Sequence, residues 1–160
     1  MRSTIFQAVV LSGAALALSA CSAETSTDQA AAAATGLPLE MSDARLVLPP
    51  VSGNPGAVYF ELTNTGERNY AIRNAEVEGA GSADIHGSME MDGEIHMSTA
   101  PPQLIEAGQT IRFEPGDVHV MAFDLSPKLK AGGTTDLTLI VAGGKRATFP
   151  VEIRGAGDDR

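Results

Sequence analysis

Beyond residue 40, apolar and polar positions along the chain alternate with a period of two. Val58, Phe60 and Leu62 are separated by Tyr59 and Glu61; Leu137, Leu139 and Val141 by Thr138 and Ile140; Phe149, Val151 and Ile153 by Pro150 and Glu152. A period of two sends successive side chains to opposite faces, so each run predicts a half-buried β-strand. Turn-forming groups punctuate the runs at Ser52-Gly53-Asn54-Pro55-Gly56, Asn64-Thr65-Gly66, Gly79-Ala80-Gly81, Asp92-Gly93, Pro115-Gly116-Asp117 and Gly143-Gly144. No stretch sustains a capped amphipathic helix. Short strands with frequent turns over about 115 residues predict an all-β domain, an antiparallel β-sandwich with Greek-key connections, with an open barrel as the competing closure.

Composition narrows what such a domain can do. With 20 acidic and 11 basic residues among 160, the chain has a formal charge of −9, and no basic surface for nucleic acid is expected. A single cysteine excludes an internal disulfide and any Cys-rich zinc or iron–sulfur site. At 43% apolar residues the chain supports one core, and it is too short for two full-sized domains. One domain with appendages is expected.

Residues 1–20 read as an export signal, with Arg2 before the apolar stretch from Ile5 to Leu18. That stretch is interrupted by Gln7 and Gly13 and is too short to remain as a spanning helix. Leu18-Ser19-Ala20-Cys21 resembles the bacterial lipobox, which implies cleavage before Cys21 and lipidation of its thiol and new amino terminus. Two or more acyl chains suffice for stable anchoring, so the mature protein is expected on the periplasmic side of a bacterial membrane. Residues 21–39 then form the lipidated Cys and a flexible tether, whose 17 residues from 22 to 38 span about 23 Å as a coil. The folded domain is expected over 40–154, followed by a short tail at 155–160.

Candidate chemistry concentrates in one segment. His86, His96 and His119 all fall within residues 86–121, as do Met89, Met91, Met97 and Met121. A thioether is a soft ligand and imidazole a borderline one, so a mixed His/Met set favours copper, above all Cu(I), over zinc, magnesium or calcium. In the run from Val118 to Phe123, His119 and Met121 share one face while Val118, Val120 and Ala122 take the other, core-facing one. A hairpin at Asp92-Gly93 would bring Met97 back near His86.

The spacing His86-x10-Met97-x21-His119-x-Met121 resembles the signature of the periplasmic copper chaperones of the PCu(A)C type. At this chain's own His and Met frequencies, such a match arises by chance on the order of 10⁻⁴ times. The resemblance extends to 57–66, to 116–121 and to 129–133, and covers roughly residues 40–153. It implies a cupredoxin-like or immunoglobulin-like sandwich with His86, Met97, His119 and Met121 as Cu(I) ligands. It further implies delivery of copper to an accepting protein, a cytochrome c oxidase subunit or an assembly factor. Residues 155–160 contain no His or Met, so a second, tail-borne copper site is not expected.

Neighbouring residues receive lesser roles. Met89 and Met91 are supplementary donors or plain surface residues, and His96, adjacent to Met97, is expected on the opposite face. Glu90, Asp92 and Glu94 solvate the hairpin, and their field would draw cations towards it. Asp84 and Glu106 are candidate outer partners of the ligand imidazoles. A blue-copper electron carrier would need a Cys thiolate, which Cys21 cannot supply once lipidated. No catalytic constellation appears, so an enzyme is not expected. The alternative to a copper carrier is a structural or adhesive envelope lipoprotein.

Overall fold

The computed structural model describes residues 31–32, 36–91 and 94–158, with side chains placed outside 31–32 and 89–96. The expected signal segment, Cys21, most of the expected tether, and Asp92 and Gly93 lie outside the described residues. Eleven strands and no helix occur among the described residues: β1 (Ala31–Ala32), β2 (Leu39–Val47), β3 (Gly56–Asn64), β4 (Tyr70–Val77), β5 (Ser82–Met91), β6 (Glu94–Thr99), β7 (Gln103–Ile105), β8 (Thr110–Phe113), β9 (His119–Phe123), β10 (Thr134–Val141) and β11 (Arg146–Arg154).

The strands hydrogen-bond in the order β6-β5-β9-β3-β2-β11-β10-β4-β7, with β1 beside β2 and β8 beside β3. The all-β fold is as expected, but the strands form one curled path rather than separate sheets. One pairing departs from the antiparallel expectation: β11 lies parallel to β2, Glu152 opposite Arg45 and Arg154 opposite Val47. A parallel neighbour requires a long crossover, and here the crossover is the rest of the domain.

Burial follows the alternation. Gly56, Val58, Phe60, Leu62 and Asn64 are the buried positions of β3, Leu137, Leu139 and Val141 are buried in β10, and Ala147, Phe149, Val151 and Ile153 in β11. These faces meet in a single cluster with Ile72, Ile85, Val120 and Ala122. One cluster drawn from strands at both ends of the path requires the sheet to fold over on itself, and apolar burial supplies the drive for that curl. Phe60 stacks on Phe113 at the centre, their ring centroids 4.2 Å apart. Leu37 and Leu39, at the expected boundary between tether and domain, are both buried. Ala31 and Ala32 in the alanine run pair with Met41 and Glu40.

Candidate metal centre

The register of three strands assembles the candidate donors. Residues paired across strands share a face, as do residues two apart on one strand. His86 of β5 pairs with His119 of β9, and Asp84 pairs with Met121. On the other side of β5, His86 pairs with Thr99 and Ser88 with Met97 of β6. His86, Met97, His119 and Met121 are therefore on one face, the two imidazoles directly opposite each other. Val120 and Ala122 of β9 take the other face and are fully buried, as the alternation of that run predicts.

His119 is the most enclosed of the four at 4% exposure, and its surroundings fix which ring nitrogen remains available. Its Nδ1 lies 2.8 Å from the Asp117 carbonyl oxygen. A carbonyl only accepts, so Nδ1 carries the proton and donates, leaving Nε2 with its lone pair. Among the described residues no enclosed side-chain nitrogen or oxygen lacks a hydrogen-bond partner, so Nε2, for which none is found, is not sealed inside the core. The carbonyl is aimed by a tight turn. Glu114 N–H donates to the Val118 carbonyl at 2.9 Å, Asp117 N–H to the Glu114 carbonyl at 3.2 Å, and Val118 N–H to Asp117 Oδ1 at 2.8 Å. Gly116, at φ +84°, supplies the left-handed residue that the turn needs.

Exposure rises across the face. His86 and Met121 are half-buried, and Met97 on the edge strand β6 is 56% exposed. His86 is the one residue of β5 paired on both sides, so the hairpin of β5 and β6 leaves the domain at that point. Its ring leans towards Phe123, centroid to centroid 6.1 Å at 52°. On the far side of His119 stands Tyr59 of β3, 6.0 Å away and tilted by 49°. Among the described residues no group of three or more His, Cys, Asp or Glu converges as a metal site. The donors that the register places on this face are two imidazoles and two thioethers, a set that suits a soft ion better than a hard one.

The remaining candidates separate. The backbone of Met89 pairs with that of His96, and Met91 with Glu94; the side chains of these residues, and the acidic group of Glu90, Asp92 and Glu94, lie outside the described residues. Asp84 is exposed on the donor face beside His86. Glu106 is not a partner of either imidazole. Its backbone caps the opposite end of β3, where Asn64 Nδ2 donates to its carbonyl at 3.0 Å. The outer partner of His119 is instead the Asp117 main chain. Sequence reading passed over it because every residue has a carbonyl and only the folded turn aims this one.

A family model described as "Putative lipoprotein LpqE-like" matches residues 39–153. The fold is similar to that of the copper-bound PCuAC domain from PmoF2, with a TM-score of 0.61 at 14% identity, covering 79% of this chain and 98% of that one. The apo PCuAC domain from PmoF1 gives 0.59 at 23% identity, over 74% and 94%. The solution structure of CuI-DR1885 from Deinococcus radiodurans gives 0.58 at 25% identity, over 73% and 78%. In sequence, the chain is 31% identical over 83 residues to "Uncharacterized protein RP573" of Rickettsia prowazekii (strain Madrid E). That match spans 51% of this chain and about half the relative's length, 46%.

Proposed function

The chain belongs to the LpqE-like family, and from that membership and its donor-bearing face we propose that it is a non-enzymatic copper chaperone. The cargo is Cu(I), held by His86, Met97, His119 and Met121. The observation that carries this reading is the register: two imidazoles paired across β5 and β9, with Met97 of the flanking β6 and Met121 of β9 itself on the same face. The likeness to a copper-bound PCuAC domain and to CuI-DR1885 supports the choice of metal.

The gradient of exposure gives the transfer a direction. Met97 is the outermost donor, so an incoming ligand from an acceptor displaces its thioether first. The half-buried Met121 and His86 follow, the enclosed His119 last, and the ion stays Cu(I) throughout, since ligand exchange moves no electron. The accepting protein is a cytochrome c oxidase subunit or an assembly factor. Cys21 is the lipidated amino terminus, which keeps the domain on the periplasmic side of a bacterial membrane.

Titration with Cu(I) under reducing conditions against a competing chelator tests the site. Wild type should take up one equivalent and His119→Ala should lose to the chelator; equal affinity in the two proteins would remove His119 from the site. Mass spectrometry of the native protein should find loss of residues 1–20 and an added lipid mass on Cys21. A mature chain beginning elsewhere, without lipid, would refute the anchor.

A further inference from the structure

We infer that Tyr59, itself held by Arg45, is a positioning residue for His119 and senses occupancy of the site. The inference rests on the copper reading above and adds a residue to it. The outward face carries a row of cross-strand neighbours, Arg45 opposite Tyr59 in β2 and β3, and His119 opposite His86 in β9 and β5. Since Ala57 pairs with Met121 and Val58 with Val120, Tyr59 continues the register to stand beside His119. The Arg45 guanidinium carbon lies 5.2 Å from the Tyr59 ring centroid, within the range of a cation–π contact. Arg45 is tied back by a hydrogen bond from Nη1 to the Asp43 carbonyl at 3.3 Å, across the bulge where Asp43 adopts φ +52°.

Three constraints therefore act on one imidazole. The Asp117 carbonyl holds Nδ1, the half-buried Tyr59 ring stands on the β3 side, and His86 faces it from β5. The carbonyl alone leaves the ring free to swing about its hydrogen bond. Tyr59 blocks the swing away from His86, keeping Nε2 towards the other donors. Outer partners that orient a ligand in this way affect metal affinity by about 10- to 100-fold. The cation on the far face of Tyr59 keeps that ring from leaning out into solvent.

The chain has two tyrosines and no tryptophan, which makes the inference measurable. Tyr70 lies on β4, opposite Ile105, so Tyr70→Phe leaves Tyr59 as the single intrinsic emitter. Silver(I), a redox-silent monovalent soft ion, should quench its emission with saturation at one equivalent. Tyr59→Phe should hold silver(I) as wild type does, because it keeps the ring. Tyr59→Leu, which keeps an apolar strand residue without the ring, should weaken binding about tenfold at an unchanged stoichiometry.

Silver(I) bound by Tyr70→Phe without any change in emission, or bound by Tyr59→Leu as tightly as by wild type, would overturn the role of Tyr59 and leave the copper site standing. Wild type that binds no silver(I) and no Cu(I) would bring down the copper reading itself. The emission experiment needs no substitution at Tyr59, so it tests the sensing of occupancy even where a Tyr59 variant fails to fold, while the comparison of Tyr59→Phe with Tyr59→Leu tests the positioning.

Discussion

A buried polar side chain lies towards each end of strand β3, one on the strand itself and one on its neighbour β9, and the two are treated differently. At its carboxyl end, Asn64 is fully buried and saturated. Its Nδ2 donates to the carbonyls of Arg68 at 2.8 Å and Glu106 at 3.0 Å, and its Oδ1 accepts from Gly66 N–H at 3.1 Å. Towards its amino end, His119 of the neighbouring β9 is nearly as buried but has only Nδ1 engaged, by the Asp117 carbonyl. A saturated group closes two loops over the core; a half-saturated one keeps a lone pair for a ligand. Burial of a polar residue therefore separates structure from function only when the hydrogen bonds are counted atom by atom.

The largest expected effect divides the two ends. His119→Ala should lower Cu(I) affinity by more than the about 100-fold that loss of an outer partner can cost, with a small change in the melting temperature. Asn64→Ala should do the reverse. Several loop carbonyls and the Gly66 N–H lose their partner, so unfolding in urea should register a loss of about 1–3 kcal/mol, with Cu(I) affinity unchanged once folded. A variant that moves both quantities together would erase the distinction.

The glycines in the two turns sharpen it. Gly116 at φ +84° aims the Asp117 carbonyl, and Gly108 at φ +73° donates its N–H to the Asn64 carbonyl at 2.9 Å. Neither has an atom within 4 Å of the site a Cβ would occupy, so alanine there acts through the backbone alone. Each replacement should cost about 1–2 kcal/mol of stability, but Gly116→Ala alone should weaken Cu(I) binding. Equal copper affinity in both variants would detach the turn from the site.

Met97→Leu should be smaller still in its effect on the fold. The side chain is 56% exposed and the swap conserves volume, so the melting temperature should hold while Cu(I) is released more readily to a chelator. Unchanged release would place Met97 outside the donor set. The smallest effect belongs to neither end of β3. The hydrogen bond from Arg146 holds the Glu76 carboxyl below its ordinary value, on a well-exposed pair. A lowered carboxyl stabilises the fold above the ordinary value and loses that contribution as pH falls through the lowered one. Glu76→Gln should thus be slightly less stable near neutrality, and the gap in melting temperature should close well below about pH 4.

The strands β3, β10 and β11 were legible because their alternation is unbroken over the run, and the direction of Val120 and Ala122 followed from the same period. The edge strands β7 and β8 were not, since three or four residues with one clear core position each, Ile105 and Phe113, are too short for a period to declare itself. The parallel entry of β11 beside β2 depends on tertiary closure that no local pattern encodes. In the site, His86, Met97, His119 and Met121 stood out by residue type and spacing. The contributions of Asp117 and Tyr59 were hidden, one being a main-chain oxygen and the other an ordinary strand aromatic whose neighbour is set by register.

The pairing of β2 with β11 also bears on the order in which the chain can fold. The face with the candidate donors is built by β3, β5, β6 and β9, all drawn from residues 56–123. β2 comes earlier but remains without one neighbour until residues 152–154 arrive. A chain emerging amino end first can thus assemble the donor-bearing strands early, while closure of the opposite wall waits for the last strand. Long-range closure of this kind is slow, leaving an interval in which imidazoles and thioethers are already gathered on a domain that is still open along one seam.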